Sequence, residues 1–106
     1  MGAIFTEHAS EQLASIVSYI AQASPQNARR FLERIENAVE MLDNNPRLGP
    51  ERQDLTDGAP YVRTWPVPPV VIVYRERVDG GAEVVVVAHG RQLLQALLED
   101  LPGDLR

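Results

Sequence analysis

Apolar positions along the first half of the chain recur with helical spacing. A short apolar stretch, Ala3-Ile4-Phe5-Thr6, precedes the first such pattern and reads as an edge strand. Ala9, Leu13, Ile16, Val17 and Ile20 then fall at i, i+4, i+7, i+8 and i+11, one face of a helix. Ser24-Pro25 closes that helix and opens another, because serine caps a helix start and proline suits the first helical position. The second helix carries Ala28, Phe31, Leu32, Ile35, Ala38, Val39 and Leu42 on one stripe and ends at Asn44-Asn45-Pro46. So short a turn between two amphipathic helices predicts an antiparallel hairpin.

Beyond residue 46 the pattern changes. A polar loop holding Pro46, Gly49, Pro50 and Gly58 leads into β-branched runs. Tyr61 to Val67 predicts one strand and Val67-Pro68-Pro69-Val70 a turn. Val70 to Val78 predicts a second strand, and Val84 to Ala88 a third. Asp79-Gly80-Gly81 between the last two is a hairpin signal, since both glycines tolerate positive φ. Leu93, Leu94, Ala96, Leu97, Leu98 and Leu101 predict a short C-terminal helix. The order β-α-α-β-β-β-α describes an α+β fold in one domain spanning 1–106. The two inner strands are apolar at consecutive positions, so both faces require cover. The hairpin supplies one cover and the short last helix part of another. This predicts an apolar strip left open for a partner.

Composition narrows the chemistry. The chain has 106 residues, no cysteine and a net charge of −5. Disulfides and thiolate metal sites are excluded. All ten basic residues are arginine, so no lysine ammonium serves as general acid or Schiff-base former. His8 opens a helix and His89 ends a strand, too far apart for a metal site, and neither a metal nor another cofactor is expected. The acidic balance argues against direct, specific nucleic-acid binding. The N-terminus lacks the pattern of a secretory signal, and no apolar run approaches a membrane span, so a cytoplasmic location without membrane association is expected.

Few side chains are suited to catalysis. Arg63 is able to grip a phosphate through its guanidinium, or else to pair with Glu76 across the sheet. His89 suits acid–base work, or else a structural hydrogen bond at its strand end. Glu51 is a possible carboxylate partner. Trp65 reads as sheet-face packing or, if exposed, as an interface anchor. Arg29, Arg30 and Arg34, spaced among Glu33, Glu36 and Glu40, read as a solvated helix face.

The run Ala28-Arg29-Arg30-Phe31-Leu32 with Ile35 and Leu42, then Pro46 and Gly49, Arg63, Tyr74-Arg75 and Val87-Ala88-His89-Gly90-Arg91, resembles the RelE/ParE superfamily of type II toxin–antitoxin toxins. The ParE branch is the nearer, and the likeness runs from about Phe5 to Leu98. Gln92 and Leu93 depart from the arginine and aspartate common there, and Ala59-Pro60-Tyr61-Val62 lengthens a loop. The resemblance implies a RelE/ParE-like fold: an N-terminal strand, an antiparallel helical hairpin on a small antiparallel sheet, and a short C-terminal helix. It further implies a toxin that poisons DNA gyrase without catalytic residues of its own. A ParD-like antitoxin would neutralise it in a hetero-oligomer. Trp65, Arg63, His89, Arg91, Leu94 and Leu97 are the candidate partner-binding residues. The RelE branch implies the alternative of ribosome-dependent mRNA cleavage, for which Arg63 and His89 are the candidate catalytic pair. A non-toxic relative that only pairs with its antitoxin is the third possibility.

Overall fold

The computed structural model describes residues 4–52 and 62–92. In chain order these form β1 (Ile4–Phe5), α1 (Glu7–Ala23), α2 (Pro25–Asn44), β2 (Arg63–Val67), β3 (Val70–Glu76) and β4 (Ala82–His89), followed by a 3-10 turn at Gly90–Gln92. The C-terminal helix expected from Leu93 onward lies outside the described residues, as do Leu94 and Leu97.

Local chemistry explains the helix boundaries. Thr6 caps α1, its side chain accepting from the Ala9 N–H at 3.1 Å. Ser24 is at once the residue that ends α1 and the N-cap of α2. Its hydroxyl accepts from Asn27 N–H at 3.1 Å while its own N–H donates to Ile20 C=O. Pro25 at the first position costs nothing there, because that N–H has no intrahelical acceptor. The α2 stripe buries Ala28, Phe31, Ile35, Ala38, Val39 and Leu42, and Leu32 is half-buried.

The four strands lie in the order β1-β4-β3-β2. β2, β3 and β4 form an antiparallel meander, but β1 pairs parallel to β4, Ile4 opposite Glu83 and Phe5 opposite Val84. The sheet is therefore mixed, not purely antiparallel as expected. The two reversals of the meander leave β4 running in the direction of β2, and β1, which takes the free side of β4, enters the sheet in that same direction. Strand limits also tighten. β2 begins at Arg63 and β3 stops at Glu76, while β4 extends from Ala82 to His89. At the β3–β4 turn Gly80 adopts φ +97°, conformational space that glycine enters without steric cost. A bulge places Val85 between the pairs Val73–Val86 and Tyr74–Val84.

One apolar cluster joins the helices to the sheet. Phe31, Ile35, Val39 and Leu42 of α2 meet Val67, Val70, Ile72, Tyr74, Val84 and Val87, and Leu13, Ile16, Val17 and Ile20 of α1 pack against them. On the far face Val73 and Val86 are fully inaccessible too, as is Val85 at the bulge. Among the described residues the inner-strand valines thus do not form the open strip expected from the sequence. That expectation allowed only helices as cover, whereas apolar burial is non-directional and any chain segment excludes water as well. Among the described residues the exposed large hydrophobic side chains, Ile4, Tyr19, Met41, Leu48 and Val78, are scattered over separate elements.

Candidate functional site

Arg63 opens β2, where the chain arriving from α2 runs back beside the sheet. Residues 50–52 lie antiparallel to 62–64, with Arg52 N–H donating to Val62 C=O at 2.8 Å and Thr64 N–H to Pro50 C=O at 3.3 Å. The Arg63 guanidinium turns into this crossing. It donates to the carbonyl of Gly49 at 2.7 Å and of Arg47 at 3.2 Å, and pairs with Glu51 at 2.9 Å. Its pairing with Glu76 is not formed. Arg63 sits opposite Tyr74, two residues short of Glu76, and Glu76 is taken by Arg47 at 3.3 Å. The cross-strand ion pair of this sheet is instead Arg75–Glu83, in direct register at 2.6 Å.

Beneath this crossing lies Tyr74, fully buried, whose hydroxyl accepts from Gly49 N–H at 2.8 Å. Burial raises its pKa above the ordinary phenol value, against smaller lowering effects from the Gly49 bond and the Arg63 charge. Gly49 is required by proximity. A Cβ there would lie 2.6 Å from Thr64 C=O oxygen and 2.7 Å from the Tyr74 hydroxyl.

His89 is at the opposite end of the sheet, facing Val70. Its Nδ1 accepts from Arg91 N–H at 3.2 Å, which leaves the ring proton of the neutral imidazole on Nε2. Arg63 and His89 are separated by four residues along β3 and by two interstrand spacings. At roughly 3.3 Å per residue and 4.8 Å per strand, that is about 16 Å between their Cα atoms. The fold does not bring them together, and an acid–base pair acting on one phosphate needs both within hydrogen-bond reach of it.

Trp65 packs half-buried against the core cluster on the helix side of β2. Arg91 is exposed on the turn after β4. Arg34, read from the sequence as part of a solvated face, instead reaches from α2 to the Pro68 carbonyl at 2.6 Å and ties the helix to the β2–β3 turn. Among the described residues no three His, Asp or Glu side chains gather as a metal would need.

A groove of about 370 Å³ opens between α1 and the end of β4. Glu11, Gln12, Ser15 and Ile16 form its helical wall, and Val87, Ala88 and His89 with Gln92 the other. Sequence reasoning singled out His89 here but missed Gln12, whose Oε1 accepts from Val87 N–H at 3.0 Å. It also missed Asp43, which accepts from Ala82 N–H at 2.9 Å and ties the end of α2 to the start of β4. Both are polar residues among apolar helix positions, and that contrast was the available signal.

No curated protein matches the sequence at a significant level. The family model described as "ParE toxin of type II toxin-antitoxin system, parDE" matches residues 3–94, from the first strand through the turn after β4. Strand, helical hairpin and meander all fall within that match, and the chain belongs to the ParE toxin family of type II toxin–antitoxin systems.

Proposed function

We propose that this chain acts by binding and not by chemistry: it poisons DNA gyrase in the cytoplasm and is neutralised by a ParD-like antitoxin in a hetero-oligomer. Family membership supports the toxin reading. The observation that carries the choice of binding over cleavage is the state of Arg63. Its guanidinium is spent on two loop carbonyls and Glu51, about 16 Å from the only histidine on the sheet. A phosphate would have to displace all three partners before Arg63 could grip it. The antitoxin's place in this reading is the groove between α1 and β4, which His89 lines, and Arg91, Leu94 and Leu97 are assigned to the same partner on the sequence alone. Trp65 and Arg63 are assigned to partner contact with lesser exposed area.

The test is expression of the chain alone and together with a small ribbon-helix-helix protein encoded beside it. Growth arrest with double-strand DNA breaks and intact mRNA, relieved by co-expression, is the expected result. In vitro, the purified chain should trap gyrase on cleaved DNA. Cut mRNA without DNA breaks would replace this reading with ribosome-dependent cleavage. Normal supercoiling in excess of a harmless protein would leave an antitoxin-binding relative without toxicity.

A further inference from the structure

The polar groups of the groove between α1 and β4 are unequally spent. Gln12 Oε1 already accepts from Val87 N–H at 3.0 Å, and Val87 and Ala88 are only 1% and 6% exposed. An occupant therefore meets this wall through side chains and does not extend the sheet. The apolar surface within its reach is that of Ile16, which is half-buried on the helical wall. His89 holds its Nδ1 on Arg91 N–H, so the Nε2–H of the neutral ring is the donor left to it.

Glu11 stands apart from these. Among the described residues that line the groove it is the one with a formal charge, and it is exposed. Among the described residues it has neither an ion pair nor a hydrogen bond, whereas Glu51, Glu76, Asp79 and Glu83 are each paired with an arginine. Arg91 is exposed too and does not pair with it. In the lone chain water solvates the Glu11 carboxylate. A segment filling the groove displaces that water, and a carboxylate stripped of water without a partner is costly. The net charge of −5 acts in the same direction, drawing cationic segments and repelling acidic ones.

On the reading that the antitoxin enters this groove, we infer that the entering segment carries an aliphatic side chain for Ile16 and, beside it, a lysine or arginine for Glu11, and that Glu11 sets which antitoxins this chain accepts. The carboxylate rejects as well as attracts. An antitoxin with an acidic residue at that place meets like charge, and one with an apolar residue leaves Glu11 unmet. Contact with Ile16 cannot discriminate in this way, because any aliphatic side chain satisfies it.

The test uses the full chain and the small ribbon-helix-helix protein encoded beside it, with dissociation constants measured by isothermal titration calorimetry. Glu11→Lys is expected to weaken binding at least tenfold, and the isosteric Glu11→Gln by a smaller factor. Glu33→Lys makes the same charge change on the exposed face of α2 and is expected to weaken it less than twofold. The Glu11→Lys deficit should shrink as salt is raised from about 50 to about 300 mM, since the Debye length shortens. Among antitoxin variants with single lysines or arginines changed to glutamate, one should restore binding to Glu11→Lys while losing at least tenfold against wild type. A folded Glu11→Lys that binds as tightly as wild type would overturn the inference, as would a set of antitoxin variants none of which restores it. In both of those outcomes the wild-type complex forms and the functional proposal stands. An antitoxin that fails to bind the wild-type chain overturns the two together.

Discussion

Tyr74 interrupts an otherwise valine-rich strand, and its hydroxyl is the reason. It is the acceptor for Gly49 N–H and so holds the loop after α2 against the sheet. Tyr74→Phe keeps the ring but leaves that buried donor unmet, at a cost of about 1–3 kcal/mol, measurable by urea unfolding. The pH dependence follows from the raised pKa. The unfolded phenol ionises near the ordinary tyrosine value of about 10, while the folded one keeps its proton to higher pH. Tyr74 therefore contributes its full stabilisation below pH 10 and loses it as pH rises from there through the folded value. Wild type should show this alkaline decline and Tyr74→Phe a shallower one. At the same scale, Arg77 and Asp79 meet through two hydrogen bonds at 2.7 and 3.1 Å, which lower the Asp79 pKa and raise that of Arg77. Both groups are solvent-screened, and the pair shapes the hairpin more than it stabilises the fold. The aspartate and glycines of this turn were legible in the sequence. The Tyr74–Gly49 bond was not, because its partners lie 25 residues apart and no spacing rule joins them.

Elements assembled from local signals were read well. The cap at Ser24 and the apolar stripe of α2 depend on neighbours three or four positions away, which sequence displays directly, whereas Thr6, read as part of the edge strand, is the cap of α1. What holds one element to another was less visible. Arg34 to the Pro68 carbonyl, Asp43 to Ala82 and Gln12 to Val87 are long-range bonds, the first made by a residue read as solvated surface and the other two by residues the sequence reading passed over. Two glycines separate these kinds of constraint. Gly80→Ala meets open space but must hold φ +97°, a strain of about 1–2 kcal/mol confined to the turn. Gly49→Ala drives a methyl into a backbone oxygen that cannot move freely and breaks the Tyr74 bond besides. Overpacking of about 1–3 kcal/mol adds to the lost hydrogen bond, so Gly49→Ala should lower the melting temperature more than Gly80→Ala does. Equal shifts in thermal unfolding would show that the loop after α2 yields more readily than its contacts suggest.

On the scale of the whole molecule, one apolar cluster spans both helices and three strands of the meander. Trp65, the single tryptophan, packs against that cluster from β2, while far-ultraviolet circular dichroism reports mainly the two helices. Denaturant unfolding should give coincident transitions by the two probes, as expected of one cooperative unit. Ile35→Ala, at 1% exposure in the centre of the cluster, should shift both together by about 2–5 kcal/mol. Separate transitions would mean that hairpin and sheet unfold independently. The acidic net charge of −5 belongs to this scale as well, since it opposes non-specific attachment to nucleic acid.

Periodicity, capping residues and turn chemistry determined the helical hairpin, the succession of elements along the chain and the α+β class, and the run of family-like positions pointed to a ParE toxin. These are properties of neighbouring residues, written in a line. Only the tertiary structure decided that β1 runs parallel to β4, that the inner valines are shielded on both faces, that Arg63 serves the loop rather than a phosphate, and that Arg63 and His89 stand at opposite ends of the sheet. Those outcomes depend on which distant segments meet. The pairing of distant segments is settled by the free energy of the packed whole, to which no short stretch of chain holds the key.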